Sequence, residues 1–317
     1  MADKQRLLSG IKPTGRLHIG NYFGAMRQFV ELQDKYTSYI FIADYHALTS
    51  VQNAESLQEL ILNTAIDYLA VGLNPKKVVL FKQSDVPQHT ELAWIFNCIT
   101  TMPYLQRSHV FKDAQAKNKE IDVGTFVYPM LMAADILLYS PDVVPVGADQ
   151  KQHIEYARDT AQKFNNIFGK TFKLPKEYTP KDSATIPGVD GQKMSKSYNN
   201  TIPLFGSRDD VEKAVMGIVT DSGGDFPQHV YAIHKLYKSE DELKNVYDDN
   251  KGNYKALKEA LIADVEEVAR PLREKREELT KDKAYVLSVL KEGGKIAREI
   301  AEEKMKEIRE KIGVTLQ

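Results

Sequence analysis

Two apolar runs, SYIFIAD from Ser38 and KVVLFKQ from Lys77, constrain this chain more than any other feature. Neither alternates polar with apolar residues, so each reads as a strand covered on both faces, the mark of a parallel sheet. The segments around them have helical period. NYFGAMRQFVELQDKY sets Tyr22, Met26, Phe29, Val30 and Gln33 on one face. LQELILNTAIDYLAVGL lies between the two runs, with a capping box from Ser56 to Glu59 before it and Gly72 and Asn74-Pro75 after it. RLLSG reads as a first strand, TELAWIFNCIT as a helix, and DVVPVG as a further strand between helices over about 128–139 and about 151–164. A polar stretch over 106–120 interrupts the pattern. Alternation of this kind specifies an α/β fold with a doubly wound parallel sheet.

The character changes after TIPGVDGQKMSKS. From about Arg208 the segments are helix-periodic with charged faces, as in EEVARPLREKREEL and KIAREIAEEKMKEIREKIG. The expected organisation is therefore an α/β domain over 1–190, with an inserted segment at about 100–127. An all-helical domain over 191–317 follows, its last helix able to pack back on the first domain. With 42% apolar and 27% charged residues in 317, the chain can bury a substantial core and keep a solvated surface. No apolar run reaches the length of a membrane span, and MADKQRLLSG has no signal-type apolar stretch. The expectation is a cytoplasmic protein without a membrane partner. The single Cys, Cys98, cannot form an internal disulfide or a Cys-based metal or iron–sulfur site. A net charge of −1 advertises no global attraction to nucleic acid, so any such binding uses local patches.

Four segments carry chemistry. IKPTGRLHIGNYFGA, from Ile11, falls between the first strand and the first helix, where open parallel sheets bind ligands. Gly15 and Gly20 permit close backbone approach. Free N–H groups near Gly20-Asn21 and the His18 ring suit phosphate oxygens. The alternative is a plain turn with a surface histidine. KMSKS, Lys193 to Ser197, supplies two cations and two hydroxyls suited to a polyphosphate, or else a solvated loop. In YPMLMAADILLY, Tyr128, Met132, Asp135 and Tyr139 share one helical face. A lone carboxylate there is either paired structurally or accepts a hydrogen bond from a ligand, and then rejects analogues lacking the donor. An indole N–H or a phenol O–H would both serve. In VPVGADQKQH, Asp149 reads as a helix N-cap, with Gly147 and Asp149 also placed for a ribose and Gln150 for an amino acid.

PTGRLHIGN and KMSKS, in this order, resemble the two signature sequences of class I aminoacyl-tRNA synthetases. YPMLMAADILLY followed by VPVGADQKQHIE resembles the bacterial tryptophanyl type rather than its tyrosyl relative. The resemblance runs from Leu8 to about Tyr198 and more weakly beyond. It implies a homodimer with a Rossmann-type catalytic domain and a helical anticodon-binding domain, using ATP with Mg²⁺, L-tryptophan and tRNA(Trp). It implies that Asp135 accepts the indole N–H, that Met132 packs on the ring, that Tyr128 and Gln150 hold the head group, and that His46 lines the pocket. Lys12, Pro13, Thr14, Gly20, Asn21, Gly147, Ala148, Asp149, Ile186, Lys193, Met194, Ser195, Lys196 and Ser197 would form the ATP site. His18, Lys193 and Lys196 would stabilise charge in the reaction. The sequence departs from the family pattern at Lys12, often Gln, and at Ala148, usually Glu. Lys112, Lys117 or Lys119 would supply a further phosphate contact.

The activity expected is ATP-dependent activation of tryptophan and its transfer to tRNA, that of a tryptophan–tRNA ligase. The rival activities are tyrosine activation, adenylylation of a small acid by a relative that never meets RNA, and a non-catalytic binding paralogue.

Overall fold

The computed structural model describes residues 4–13, 15–116, 120–145, 151–178, 186–220 and 226–316. Five strands form one sheet: β1 (Arg6–Ile11), β2 (Thr37–Ile42), β3 (Val78–Lys82), β4 (Val143–Pro145) and β5 (Lys176–Tyr178). Their order is β3-β2-β1-β4-β5, and every pairing is parallel. The order reverses between β1 and β4, the place where such sheets open a crevice at their carboxyl ends. The fifth strand is one the apolar runs did not announce, because it is three residues long and pairs only with β4.

The helices are α1 (Ile19–Asn21), continued by a π-helical turn Tyr22–Met26 into α2 (Arg27–Leu32), then α3 (Asp44–Ala47), α4 (Ala54–Ala70) and α5 (Gln88–Ile99). Next come α6 (Met102–Leu105), α7 (His109–Ala116), α8 (Val123–Leu138) and α9 (Lys151–Phe168). The rest are α10 (Arg208–Met216), α11 (Gln228–His234), α12 (Glu240–Asp249), α13 (Tyr254–Lys281) and α14 (Lys283–Lys311). Two starts differ from the sequence reading. The cap of α4 is Asn53, whose side-chain oxygen accepts from Ser56 N–H at 2.8 Å, so the Ser56–Glu59 box is not used. Asn caps as well as Ser, and Asn53 has the extended backbone a cap needs. α8 begins at Val123 rather than near Tyr128, because the Asp122 carboxylate caps it through Thr125 N–H at 2.6 Å. The polar stretch over 106–120 holds α7.

Strand alternation divides the core. Leu7, Ile40 and Ile42 enter one cluster with Tyr68 of α4; Leu8, Phe41 and Phe81 enter the other with Phe96 and Phe164. The C-terminal helices close both. Leu261 and Val265 of α13 and Leu290 of α14 join the first cluster, while Ala297, Ala301, Met305 and Ile308 of α14 join the second. α14 passes from one to the other across the edge strand β3 at Gly293, where an added Cβ would lie 1.9 Å from the Leu80 carbonyl oxygen. Only glycine permits that approach, and the helix covers an edge that would otherwise be open. Arg309 grips Glu91 through two bonds of 2.7 and 2.6 Å. Arg276 of α13 reaches Asp67 at 2.6 Å and Asn63 at 3.0 Å on α4. Burial holds the Asp67 pKa up at about 6, with Arg276 pulling it down. Among the described residues no helix is long and apolar enough to cross a membrane.

Candidate active site

A cavity of about 540 Å³ opens at the carboxyl ends of β1 and β4. α8 supplies its floor with Tyr128, Met132 and Asp135; His46 of α3 and Lys12 after β1 complete the side already expected to bind ligand. Asp135 is 1% exposed, yet it is well solvated by protein. Its Oδ2 accepts from His46 Nε2 at 2.8 Å; its Oδ1 accepts from Gln83 Nε2 at 2.7 Å and from His89 Nδ1 at 2.6 Å. His89 in turn meets the Tyr139 hydroxyl at 2.8 Å through Nε2. Burial pushes the Asp135 carboxyl up, but the hydrogen bonds and charges of His46 and His89 outweigh it and bring the pKa down to about 2. The group is therefore an anion at neutral pH. A carboxylate has about four lone-pair positions. Among the described residues three are engaged, and the remaining one lies on Oδ2, the oxygen shared with His46 of the cavity lining. One N–H donor on an otherwise apolar body fits that arrangement. Tyr128 meets His46 edge to face at 6.3 Å and His153 at 5.6 Å, which fixes the phenol at the cavity wall.

Sequence reasoning picked Asp135 but missed its support. Gln83 was legible in principle, since it sits immediately after the strand β3, where ligand-facing residues gather. His89 carries no local signal. It lies on α5 and meets Asp135 only because α5 packs along α8.

Lys12 points its Nζ to Thr49 Oγ1 at 3.0 Å, and burial lowers its pKa. Thr49 itself donates to the His46 carbonyl at 2.9 Å, so the ammonium is tied to the element that bears His46. Pro13 beside it is buried.

The second half of the site lies around His18. The imidazole is 7% exposed, and Asn21 Oδ1 accepts from His18 N–H at 3.1 Å, which fixes the turn into α1. Gly20 is needed here, since a Cβ would stand 2.9 Å from His18 Nδ1 and 3.2 Å from Met194 Sδ. Burial first, and the Lys196 charge second, push the His18 pKa down to about 4. The ring is thus neutral at physiological pH and offers a hydrogen bond rather than a positive charge. Among the described residues Nδ1 is buried without a hydrogen-bond partner. Lys196 stands near Gly15, 3.8 Å from where a Cβ would lie. Desolvation lowers its pKa, and the Asp67 carboxylate opposes that.

The signature loop is knitted to this half. Lys193 bridges Pro187 in antiparallel fashion, and Met194 N–H donates to the Ile186 carbonyl at 2.8 Å. The Ile186 and Met194 side chains are buried in the core, so their contribution to a ligand is the shape of the loop. Ser195 and Ser197 hydroxyls meet at 2.8 Å. The two halves of the chain touch here as well: His18 bridges Pro203, and Ile19 N–H donates to the Ile202 carbonyl at 3.0 Å. Thr14, Gly147, Ala148, Asp149 and Gln150 lie outside the described residues, as do Lys117 and Lys119. Lys112 is exposed on α7.

Residues 2–286 match the family of class I tRNA synthetases (W and Y). The chain belongs to that family. It is 50% identical to the tryptophan–tRNA ligase of Fusobacterium nucleatum subsp. nucleatum over 319 residues, covering 98% of each chain. It is 48% identical to that of Rhodopirellula baltica, over 93% of this chain and 95% of the relative. The crystal structure of tryptophanyl-tRNA synthetase from Campylobacter jejuni, complexed with ADP and tryptophan, superposes with a TM-score of 0.90 at 42% identity. It covers 97% of this chain and 99% of its own. As a member of this class I family, the chain has the doubly wound parallel sheet and flanking helices that the alternating apolar runs indicated.

Proposed function

We propose that this chain activates L-tryptophan with ATP and transfers it to tRNA(Trp), releasing AMP and diphosphate. The observation that carries the reading is the buried Asp135 anion, held by His46, Gln83 and His89 with one acceptor position left toward the cavity. An indole N–H fills that position, and Met132 and Tyr128 line the walls around the ring. Leaving the acceptor unfilled, as phenylalanine would, costs about 1–3 kcal/mol. His46 holds the acceptor in place; Tyr128 and Gln150 take the amino-acid head group.

The tryptophan carboxylate attacks the α-phosphorus of ATP, a new P–O bond forms, and the bond to the diphosphate breaks. Mg²⁺ enters as part of the ATP substrate and leaves with diphosphate. Lys193 and Lys196 balance the charge that builds on the phosphates, and neutral His18 donates a hydrogen bond. Lys12, Pro13, Thr14, Gly20, Asn21, Gly147, Ala148, Asp149, Ile186, Met194, Ser195 and Ser197 surround the nucleotide. Lys12, tied to Thr49 at the cavity wall, faces the join between amino acid and nucleotide. In the second step a terminal ribose hydroxyl of the tRNA attacks the acyl carbon and AMP departs.

The helical half over 191–317 reads the anticodon, and the α/β half over 1–190 does the chemistry. Two copies associate through the surface that exposes Trp94 (69%), Met102 (64%) and Val123 (76%) around α5 and the segment 100–127. The enzyme works in the cytoplasm, where its tRNA substrate is.

Amino-acid-dependent pyrophosphate exchange, run with each amino acid separately, tests the reading. Tryptophan alone is expected to drive it. Exchange with tyrosine at comparable efficiency, or with no amino acid at all, overturns it.

A further inference from the structure

The signature loop is held by a residue outside it. Asn200 is 1% exposed, and its carboxamide is fully engaged. Its Oδ1 accepts from Ser195 N–H at 2.8 Å; its Nδ2 donates to Asp190 Oδ1 at 2.8 Å and to the Lys193 carbonyl at 3.1 Å. One side chain thus joins the start of the loop, the turn before it and its middle. The backbone closes around it. Val189 N–H donates to the Asn200 carbonyl at 3.0 Å, and Gly188 N–H to the Gln192 carbonyl at 2.7 Å.

The two glycines that precede the loop belong to this bracket. A Cβ on Gly188 would stand 2.4 Å from Asn200 Cγ and Nδ2. Gly191 has φ +79°, and a Cβ there would stand 2.1 Å from the His229 ring of α11. Their role is to admit Asn200 and His229 rather than to loosen the chain. Asp190 is a carboxylate below its usual range, held so first by the Asn200 amide against some desolvation, then by Gln192 N–H and the His229 charge. It can accept from Asn200 but has nothing to donate.

We infer that Asn200 is a positioning residue for adenylate formation: by fixing the Lys193 carbonyl and the Ser195 amide it sets where the Lys193 and Lys196 ammoniums stand over the ATP phosphates. The inference rests on the activation reading above. Its chemistry is specific to a carboxamide. Only Asn offers, at this length, one acceptor and two donors in a plane. Aspartate has the same shape but no donor, and it would face Asp190 and the Lys193 carbonyl with like-signed oxygen. Misplacement of a reacting group by about 1 Å costs on the order of a hundredfold in rate.

The test uses the full chain in four forms: wild type, Asn200→Asp, Lys196→Ala and the two substitutions together. If Asn200 acts by placing the ammoniums of the loop, its loss should matter less once the Lys196 ammonium is gone. Tryptophan-dependent pyrophosphate exchange should lose at least about tenfold in kcat in Asn200→Asp and show a higher KM for ATP. The KM for tryptophan should stay within about twofold, since Asp135 and its partners are untouched. On the Lys196→Ala background, Asn200→Asp should cost much less in kcat than it does in the wild type, about threefold or less. Independently of activity, trypsin should cut after Lys193 and Lys196 several times faster in Asn200→Asp than in wild type, read by mass spectrometry. Unchanged kcat and unchanged cutting in Asn200→Asp overturn the inference. So does a fall in tryptophan affinity equal to the fall in rate, which marks general damage, and so does full additivity of the Asn200→Asp and Lys196→Ala losses. A wild-type chain without tryptophan-dependent exchange overturns the activation reading instead, and the cutting pattern then decides on the bracket alone.

Discussion

The amino-acid cavity and the signature loop lie at the same end of the sheet but are built in opposite ways. The cavity is assembled from side chains on regular elements. Asp135 on α8, His89 on α5 and Gln83 at the end of β3 are all buried, and the last two hold the first. The loop is assembled from backbone, with one buried carboxamide as its clip and its charged groups left toward solvent. The difference follows from what each must hold. A hydrogen bond to an indole discriminates only if the acceptor is dry and fixed beforehand, since water would otherwise stand in for the missing donor. Cations that meet a polyphosphate must stay hydrated until it arrives, because a buried unpaired ammonium is too costly to keep. On the proposed reading, specificity lies on the rigid side and charge stabilisation on the loop.

The widest break between the two is expected at Lys196. Lys196→Ala should lower the rate of adenylate formation on the order of 10²- to 10³-fold while leaving tryptophan affinity nearly unchanged. Single-turnover kinetics with a separate measurement of tryptophan binding would show it. A loss confined to tryptophan affinity would mean that the loop serves the cavity instead.

Asp135→Ala should do the reverse. The preference for tryptophan over phenylalanine, measured as a ratio of kcat/KM in pyrophosphate exchange, should fall by about 1–3 kcal/mol, roughly 5- to 150-fold. Retention of full selectivity would make the carboxylate purely structural. The same variant leaves three donors on His46, Gln83 and His89 without their acceptor, so a lower melting temperature should accompany the change.

The smallest effect separates the halves by pH. The Asp135 pKa of about 2 lies below its ordinary value of 3.8, so folding favours the ionised form. The resulting stability is present above about pH 4 and is lost as pH falls toward 2, and amounts to about 2 kcal/mol. Denaturant midpoints of wild type and Asp135→Asn should therefore differ at pH 7 and converge between pH 4 and pH 2. His18, already neutral above about pH 4, should add no inflection to the exchange rate near the usual histidine pKa. A difference between the two proteins that is independent of pH would show that Asp135 acts through shape alone.

The sequence by itself determined the parts that local rules control. Continuous apolar runs required a covered parallel sheet, and the alternation within β1 and β2 sent Leu7 and Leu8, or Ile40 and Phe41, to opposite cores. Glycine-bearing loops between strand and helix marked the carboxyl end of the sheet, where the ligand is proposed to sit, and Asp135 stood out as a carboxylate on an apolar face. Some local choices were still misplaced, as at Asn53, where two neighbouring residues can both cap and only packing selects one. Tertiary structure alone decided the chemistry of those same residues. The Asp135 charge state depends on partners 89, 52 and 46 positions away, His46, Gln83 and His89. The neutrality of His18 depends on burial and on Lys196, and the loop depends on Asn200 folding back onto Asp190. The closure of β3 by α14 depends on a glycine more than two hundred residues beyond the strand. Periodicity reports which face of an element is apolar. It carries no record of which distant dipole will meet a given atom, and it is that meeting, in a medium of low dielectric, that sets ionisation and geometry.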